Sequence, residues 1–404
     1  MSENNNIQQP QDAMEAIRPY LLDATQDYPE PYYMLEFNGI PFSTIGGIQA
    51  LSGQKKNGKT FVIAQLIAAI LGGDTERTRH YLPGLKVPDR TLEYLDYNRR
   101  PDLTEEDRKK NPYIPRVLWV DTEMEKLNSA KVLRRIHWLC GWDMNKPDPR
   151  FNVLWLRGVI DVKDENDRVI MKANQKRWQI IRQAIDLLNP DAVFIDGIRD
   201  IIGDFNDNKE SSSLVGELMS LAEQKGMCIW NVLHMNPRPS NDDESKMRGH
   251  LGTELGNKVT DTLVSFKKKD SSTGRVLFTV KQQDARGKDL DDWQFEVTED
   301  AGALGVPRIV GNVTGIDRQQ REEVTGDDPE QIKQWITEGI HKYHFPMTRS
   351  DVKKLIFADI GNQKNSGKQQ ADLNIAINLG YLENSTMKSG NGSYMLQPPE
   401  DLVF

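Results

Sequence analysis

The segment Gly53-Gln-Lys-Lys-Asn-Gly58-Lys59-Thr60 constrains the fold more than any other stretch of this chain. Before it, GGIQALSG is short and apolar like a buried strand; after it, TFVIAQLIAAILGG is an apolar run long enough to be a helix. Strand, glycine-rich turn and helix in that order begin a parallel α/β unit. The glycines let backbone amides curl round an anion without Cβ clashes, and the helix N-terminus adds positive potential. The spacing G-x-x-x-x-G-K-[ST] therefore predicts a nucleotide phosphate site made by Gly53, Gln54, Lys55, Lys56, Asn57, Gly58, Lys59, Thr60 and Phe61. In it Lys59 reaches the terminal phosphates and the Thr60 hydroxyl ligates Mg²⁺, so ATP and Mg²⁺ are the expected cofactors. A glycine-rich tight turn is the competing reading.

Downstream, RVLWVDTE, NVLWLRG, DAVFID and MCIWNVLH read as strands separated by the helices KLNSAKVLRRIHWLCGW, ANQKRWQIIRQAIDLLN and SSSLVGELMSLAEQ. This alternation implies a mostly parallel sheet covered on both faces. DTLVSFKKK, GRVLFTVKQQ and DWQFEVTED alternate apolar and polar residues, as antiparallel strands at a sheet edge do. Residues 1–29 read as a flexible segment with a short helix in AMEAIRPYLLDA, and PEPYYMLEFNGIPF as an extended approach. Residues 30–313 are the main domain, with a polar, solvated surface insertion at about 73–115. Residues 314–328 are a linker, and 329–404 a second domain.

Nucleotide hydrolysis also needs a metal-side carboxylate and a water activator. Asp196 ends the strand DAVFID, where a carboxylate holds a metal-bound water, and Glu123 follows RVLWVD, where one can deprotonate the attacking water. Asp121 is the rival base, and a helix N-cap is the structural alternative for each carboxylate. His234 ends MCIWNVLH beside the strand carrying Asp196, placed either to sense the terminal phosphate or to serve as a satisfied structural group.

The loop GQKKNGKT, the strand-end DTE, VFIDG, His234 and RGHLGTELGNKVTDTLVSF together resemble the RecA-like ATPases, in the branch of RepA-, DnaB- and RadA-type hexameric helicases. The resemblance covers about residues 30–300. It implies a RecA-like α/β fold, ATP hydrolysed between subunits of a homo-oligomer, a hexamer by the family pattern, and a basic residue entering from the neighbour. The matching positions are Lys281 and Arg286, although the arginine is displaced from the usual K-x-R spacing; exposed turn charges are the alternative. By the same resemblance the loop after His234 faces a central channel, where Arg238, Lys246 and Arg248 would touch the backbone of single-stranded DNA. A disordered loop is the alternative.

Residues 329–397 read as three helices, with Thr348 an N-cap, and a turn-rich hairpin, an outline similar to a winged-helix domain. Lys364, Lys368 and Lys388 fall on its recognition helix and wing. Eight Lys and Arg against six Asp and Glu between Glu330 and Gln397 give a small positive excess, compatible with duplex DNA or with docking a protein.

The expected activity is thus an ATP-dependent DNA motor, a replicative helicase of a plasmid or mobile element, with a DNA-binding regulatory ATPase as the alternative. The net charge of -8 excludes a chain that coats nucleic acid with bulk positive surface, so any DNA contact is local. Cys140 and Cys228 lie far apart in apolar company and show no metal or disulfide spacing, the pattern of buried thiols in a cytoplasmic protein. No apolar run has the length of a membrane span and MSENNNIQQPQD is not a secretory leader, so no membrane partner is expected.

Overall fold

The computed structural model describes residues 10–235, 247–269, 275–312, 327–363, 366–388 and 394–399. The chain divides into two compact units, residues 1–310 and 311–404.

The strands of the first unit are β1 (Tyr33–Phe37), β2 (Ile40–Thr44), β3 (Ile48–Gly53), β4 (Leu85–Lys86), β5 (Val117–Asp121), β6 (Phe151–Trp155), β7 (Val162–Lys163), β8 (Val169–Met171), β9 (Ala192–Asp196), β10 (Cys228–His234), β11 (Asp261–Lys269), β12 (Val276–Ala285), β13 (Trp293–Thr298) and β14 (Val306–Asn312). Nine of them form one sheet in the order β14-β13-β12-β11-β3-β10-β9-β5-β6. From β11 to β6 every neighbouring pair is parallel, whereas β12 runs antiparallel to β11 and β13 to β12. The expected α/β class, a mostly parallel sheet with helices on both faces, is the one observed.

Alternation along the strands divides the core. Trp119, Phe194 and Trp230 face α2 (Lys59–Leu71) and α6 (Lys126–Leu139), while Leu118, Ile195 and Ile229 face α7 (Ala173–Leu188), α8 (Asn208–Lys225) and α9 (Gly249–Lys258). Strands apolar on both sides fit only inside such a sandwich. Because all the parallel strands end on one edge, the residues that follow β3, β5, β9 and β10 converge there.

The segment at 73–115 departs from the solvated excursion expected of it. It forms the helices α3 (Glu76–Tyr81), α4 (Asp89–Arg99) and α5 (Glu105–Lys110), and its β4 pairs antiparallel with β1. Tyr81, Leu82, Leu85, Val87, Leu95 and Tyr113 enter the core cluster on the α2 side. Fully buried Asp191 bolts the segment down, accepting hydrogen bonds from Arg99 Nε (2.8 Å), the Tyr113 hydroxyl (2.7 Å) and the Arg116 backbone N–H (2.8 Å). The stretch is polar on average, but its few apolar residues are spaced to cover one edge of the core. At the N-terminus helix α1 spans Pro10–Ile17, with a 3₁₀ turn at Arg18–Tyr20. It is shorter than expected because Pro19 has no N–H to continue it. The extended approach proves to be a hairpin, β1–β2, turning at Asn38-Gly39, both in the left-handed region.

The second unit has its own core, with Ile332, Ile336, Ile356, Phe357, Leu373 and Leu396 buried together. Helix Pro329–Lys342 is followed by Arg349–Asp351, capped by the Thr348 hydroxyl, which accepts from the Asp351 N–H. The chain continues as the π-helix Val352–Ile360, helix Ser366–Asn378 and an antiparallel hairpin of Glu383–Lys388 with Tyr394–Gln397. Among the described residues, no helix is long and apolar enough to cross a membrane.

Candidate nucleotide site

The loop between β3 and α2 needs its glycines for two reasons. Gly53 has φ 154° and a Cβ there would lie 2.7 Å from the Ser265 carbonyl oxygen; Gly58 has φ 87° and a Cβ would lie 2.5 Å from Phe278 Cδ1. Strand β11 clamps the loop from the side, since the Ser265 hydroxyl donates to the Asn57 carbonyl. The result is an open cavity of about 490 Å³ lined by Lys55, Lys56, Gly58, Lys59, Thr60 and Phe61 from the loop, and by Glu123, Asp196, His234, Lys267 and Phe278 from neighbouring strand ends. The sequence motif and three separately predicted residues, Glu123, Asp196 and His234, thus face one space.

Lys59 is nearly buried, and its ammonium donates to the Gly53 and Gln54 carbonyls, both at 3.1 Å, and contacts His234 Nδ1 at 3.0 Å. Burial lowers its pKa, while Asp196 and then Glu123 oppose the fall. An ammonium has only donors, so Nδ1 of His234 is the acceptor and Nε2 carries the imidazole proton. Its Nε2 lies 3.4 Å from Glu123 Oε1. His234 holds the Glu123 pKa below the ordinary carboxylate value, against its partial burial, with Lys59 assisting. Lys59, His234 and Glu123 therefore form a chain of donor and acceptor contacts across the cavity.

The Asp121 carboxylate is engaged by its own turn. Its Oδ1 accepts from the Glu123 and Met124 backbone N–H groups at 2.9 and 3.0 Å, and the Ser129 hydroxyl donates to Oδ2. These bonds commit the buried carboxylate to shaping the turn that presents Glu123. Glu123, two residues on, keeps its oxygens in the cavity.

Asp196 pairs in register with Asp121 across β9 and β5 and is almost fully enclosed. Burial pushes its carboxyl up to about 8, Glu123 and Asp121 adding to the rise and Lys59 offsetting part of it. A buried carboxyl that keeps its proton for want of positive charge is suited to a cation. With the Thr60 hydroxyl on the same cavity it offers hard oxygen donors, the kind Mg²⁺ takes beside substrate phosphates. No cluster of three or more His, Cys, Asp or Glu among the described residues could cage a metal alone, so phosphate oxygens and water would complete the shell.

A second cavity of about 590 Å³ shares Lys55, Glu123 and His234 with the first and is further lined by Thr122, Arg199, Asp200, Phe205 and Arg248. The Arg199 guanidinium lies 4.1 Å from the Phe205 ring centroid and that of Arg248 6.0 Å. Of the three loop cations expected at DNA, Arg248 lies on this wall, while Arg238 and Lys246 fall outside the described residues. Lys281 pairs with Asp292 at 3.2 Å and Arg286 donates to the Lys258 carbonyl at 3.4 Å; neither lines the phosphate cavity of its own chain. In the second unit Lys368 is tied to Asp327 at 2.6 Å, so it anchors the residues before helix Pro329–Lys342. Lys364 and the Lys388 side chain lie outside the described residues.

Sequence reasoning missed Lys267, Phe278, Thr122, Arg199 and Phe205. Only Lys267 carried a signal, the three-lysine end of β11.

No family model and no curated protein matches the chain. Among solved structures it is similar to a KaiC-like protein of the hyperthermophilic archaeon Pyrococcus horikoshii, with 13% identity and a TM-score of 0.39 over 70% of this chain and 99% of that one. So weak a superposition assigns no activity.

Proposed function

We propose that the chain is an ATP- and Mg²⁺-dependent ATPase that acts on DNA as an oligomeric replicative helicase of a plasmid or mobile element. The observation that carries the ATPase reading is the convergence of Lys59, Thr60, Glu123, Asp196 and His234 on one cavity beside the glycine-lined loop. Bound Mg²⁺–ATP supplies the scissile phosphoanhydride and metal neutralisation of its charge. Lys59 would exchange the Gly53 and Gln54 carbonyls for phosphate oxygens, and Thr60 and Asp196 would hold the metal side. Glu123, charged at neutral pH, takes a proton from the attacking water. His234, touching both Lys59 and Glu123, registers the departure of the terminal phosphate because Lys59 returns to its Nδ1.

The DNA part of the reading rests on Arg248 and Arg199 in the adjoining cavity, with the second unit as a winged-helix module for duplex DNA or a partner protein. Assembly as a homo-oligomer, a hexamer by the resemblance, would bring Lys281 and Arg286 to a neighbour's nucleotide. Lys59→Ala is expected to lose ATP binding, and Glu123→Gln to bind ATP without turnover. Hydrolysis undiminished in Glu123→Gln would sink the base assignment. Stimulation by single-stranded DNA, unwinding of a forked duplex and particle size with and without ATP test the helicase. A monomer under all conditions, with no stimulation and no strand displacement, would refute it and leave a nucleotide-switched ATPase.

A further inference from the structure

We propose that Thr122 and Asp200 are positioning residues that set the place of Glu123 relative to Asp196; the inference rests on the ATPase reading above. Glu123 lies beyond the end of β5, with no strand pairing of its own to locate it. What brings it to Asp196 is the residue before it. The Thr122 N–H donates to the Asp196 carbonyl at 2.7 Å, continuing the β5–β9 register by one step. Its hydroxyl donates to Asp200 Oδ2 at 2.8 Å and accepts from the Gly197 N–H at 3.1 Å.

One buried side chain thus staples the turn carrying Glu123 to both ends of the segment that follows β9. The fit is close: a Cβ on Gly197 would lie 2.6 Å from Glu123 Oε1. The far end of the staple is held as well, because the Asp200 N–H donates to the Gly197 carbonyl at 3.1 Å and Arg177 donates to the Asp200 carbonyl at 3.2 Å. Thr122→Val keeps the shape but removes the donor to Asp200 and leaves the buried Gly197 N–H unpaired, so the turn relaxes away from Asp196. Nothing in the loop that binds phosphate is touched.

The test compares Thr122→Val, Thr122→Ser and Asp200→Asn with the parent full-length chain in steady-state ATP hydrolysis, with nucleotide affinity and thermal melting measured in parallel. A displacement of about 1 Å at a general base is expected to lower kcat of Thr122→Val roughly 10- to 100-fold with KM and nucleotide affinity within twofold. Thr122→Ser, which keeps the hydroxyl, recovers most of kcat, and Asp200→Asn shows a smaller loss, again in kcat alone. If Thr122→Val does not fold, the kcat-specific loss in Asp200→Asn decides the matter. Parent-level kcat in the folded Val variant, or a loss carried by KM, overturns the positioning role while the ATPase stands. A parent chain that binds ATP without hydrolysing it overturns the ATPase reading and this inference with it.

Discussion

The raised pKa of Asp196 makes metal binding at this site pH-dependent in the neutral range, where an ordinary carboxylate is already fully ionised and gives no slope. With its carboxyl pushed up to about 8 by burial, by Glu123 and by Asp121, the metal-free protein carries a protonated Asp196 at pH 7. At one pH unit below that value roughly one molecule in ten is ionised, and at one unit above roughly nine in ten. A cation needs the ionised form, so apparent Mg²⁺ affinity is expected to rise about tenfold between pH 7 and pH 9, with close to one proton released per metal at pH 7.

Titration calorimetry of Mg²⁺ into protein loaded with a non-hydrolysable ATP analogue, in buffers of different ionisation enthalpy, reads both quantities. Nucleotide phosphates are largely ionised above pH 7 and contribute little slope. Asp196→Asn should bind the metal weakly with no pH slope in this range. For the metal-free protein, the folded state holds a proton that the unfolded chain has already lost above pH 4. The favourable contribution is therefore complete at low pH and is lost as pH rises towards 8, by at most ~1.4 kcal/mol per pH unit, and Asp196→Asn abolishes that slope. Mg²⁺ affinity flat within twofold from pH 7 to 9, with no proton released, would refute the reasoning.

Two further outcomes follow from local geometry. Gly58→Ala combines φ 87° with a Cβ 2.5 Å from the Phe278 ring, so it should cost about 1–3 kcal/mol in urea unfolding and abolish nucleotide binding; in a Phe278→Ala background, itself destabilised by loss of a core ring, the further cost of Gly58→Ala should be smaller because only the backbone strain remains. Asp191→Ala strips the partner from Arg99, whose side chain is 14% exposed, and from the Tyr113 hydroxyl, and should cost about 3–5 kcal/mol with rapid proteolysis within 73–115. A loss under about 1 kcal/mol would mean that the segment is not bolted to the core through Asp191.

Much of the site was legible in the chain because its residues follow strands. The loop at 53–60 identifies itself by spacing, and Asp196 and His234 stand out as polar ends of apolar runs. Parallel strands end on one edge, so marking those ends already marks the cavity. Asp121 and Glu123 could not be separated this way, being both carboxylates and two residues apart; the Ser129 hydroxyl and two turn amides, which occupy the Asp121 oxygens, are brought to it only by the turn and the start of α6. The hairpin at Asn38-Gly39 carried its own turn signal, whereas the burial of 73–115 did not, because it depends on Asp191, about ninety residues distant.

By itself, then, the sequence determined the α/β alternation, the phosphate loop and the polar strand ends, all of them local properties set by side-chain periodicity and backbone freedom. Tertiary structure alone decided that the Asp121 oxygens are taken up by their own turn, that Lys368 pairs with Asp327, and that Lys267 and Phe278 wall the cavity. It also raised the Asp196 pKa: a carboxyl's affinity for a proton depends on the dielectric and the charges around it, and those arrive from β5, α2 and the turn after β5 only when the sheet closes.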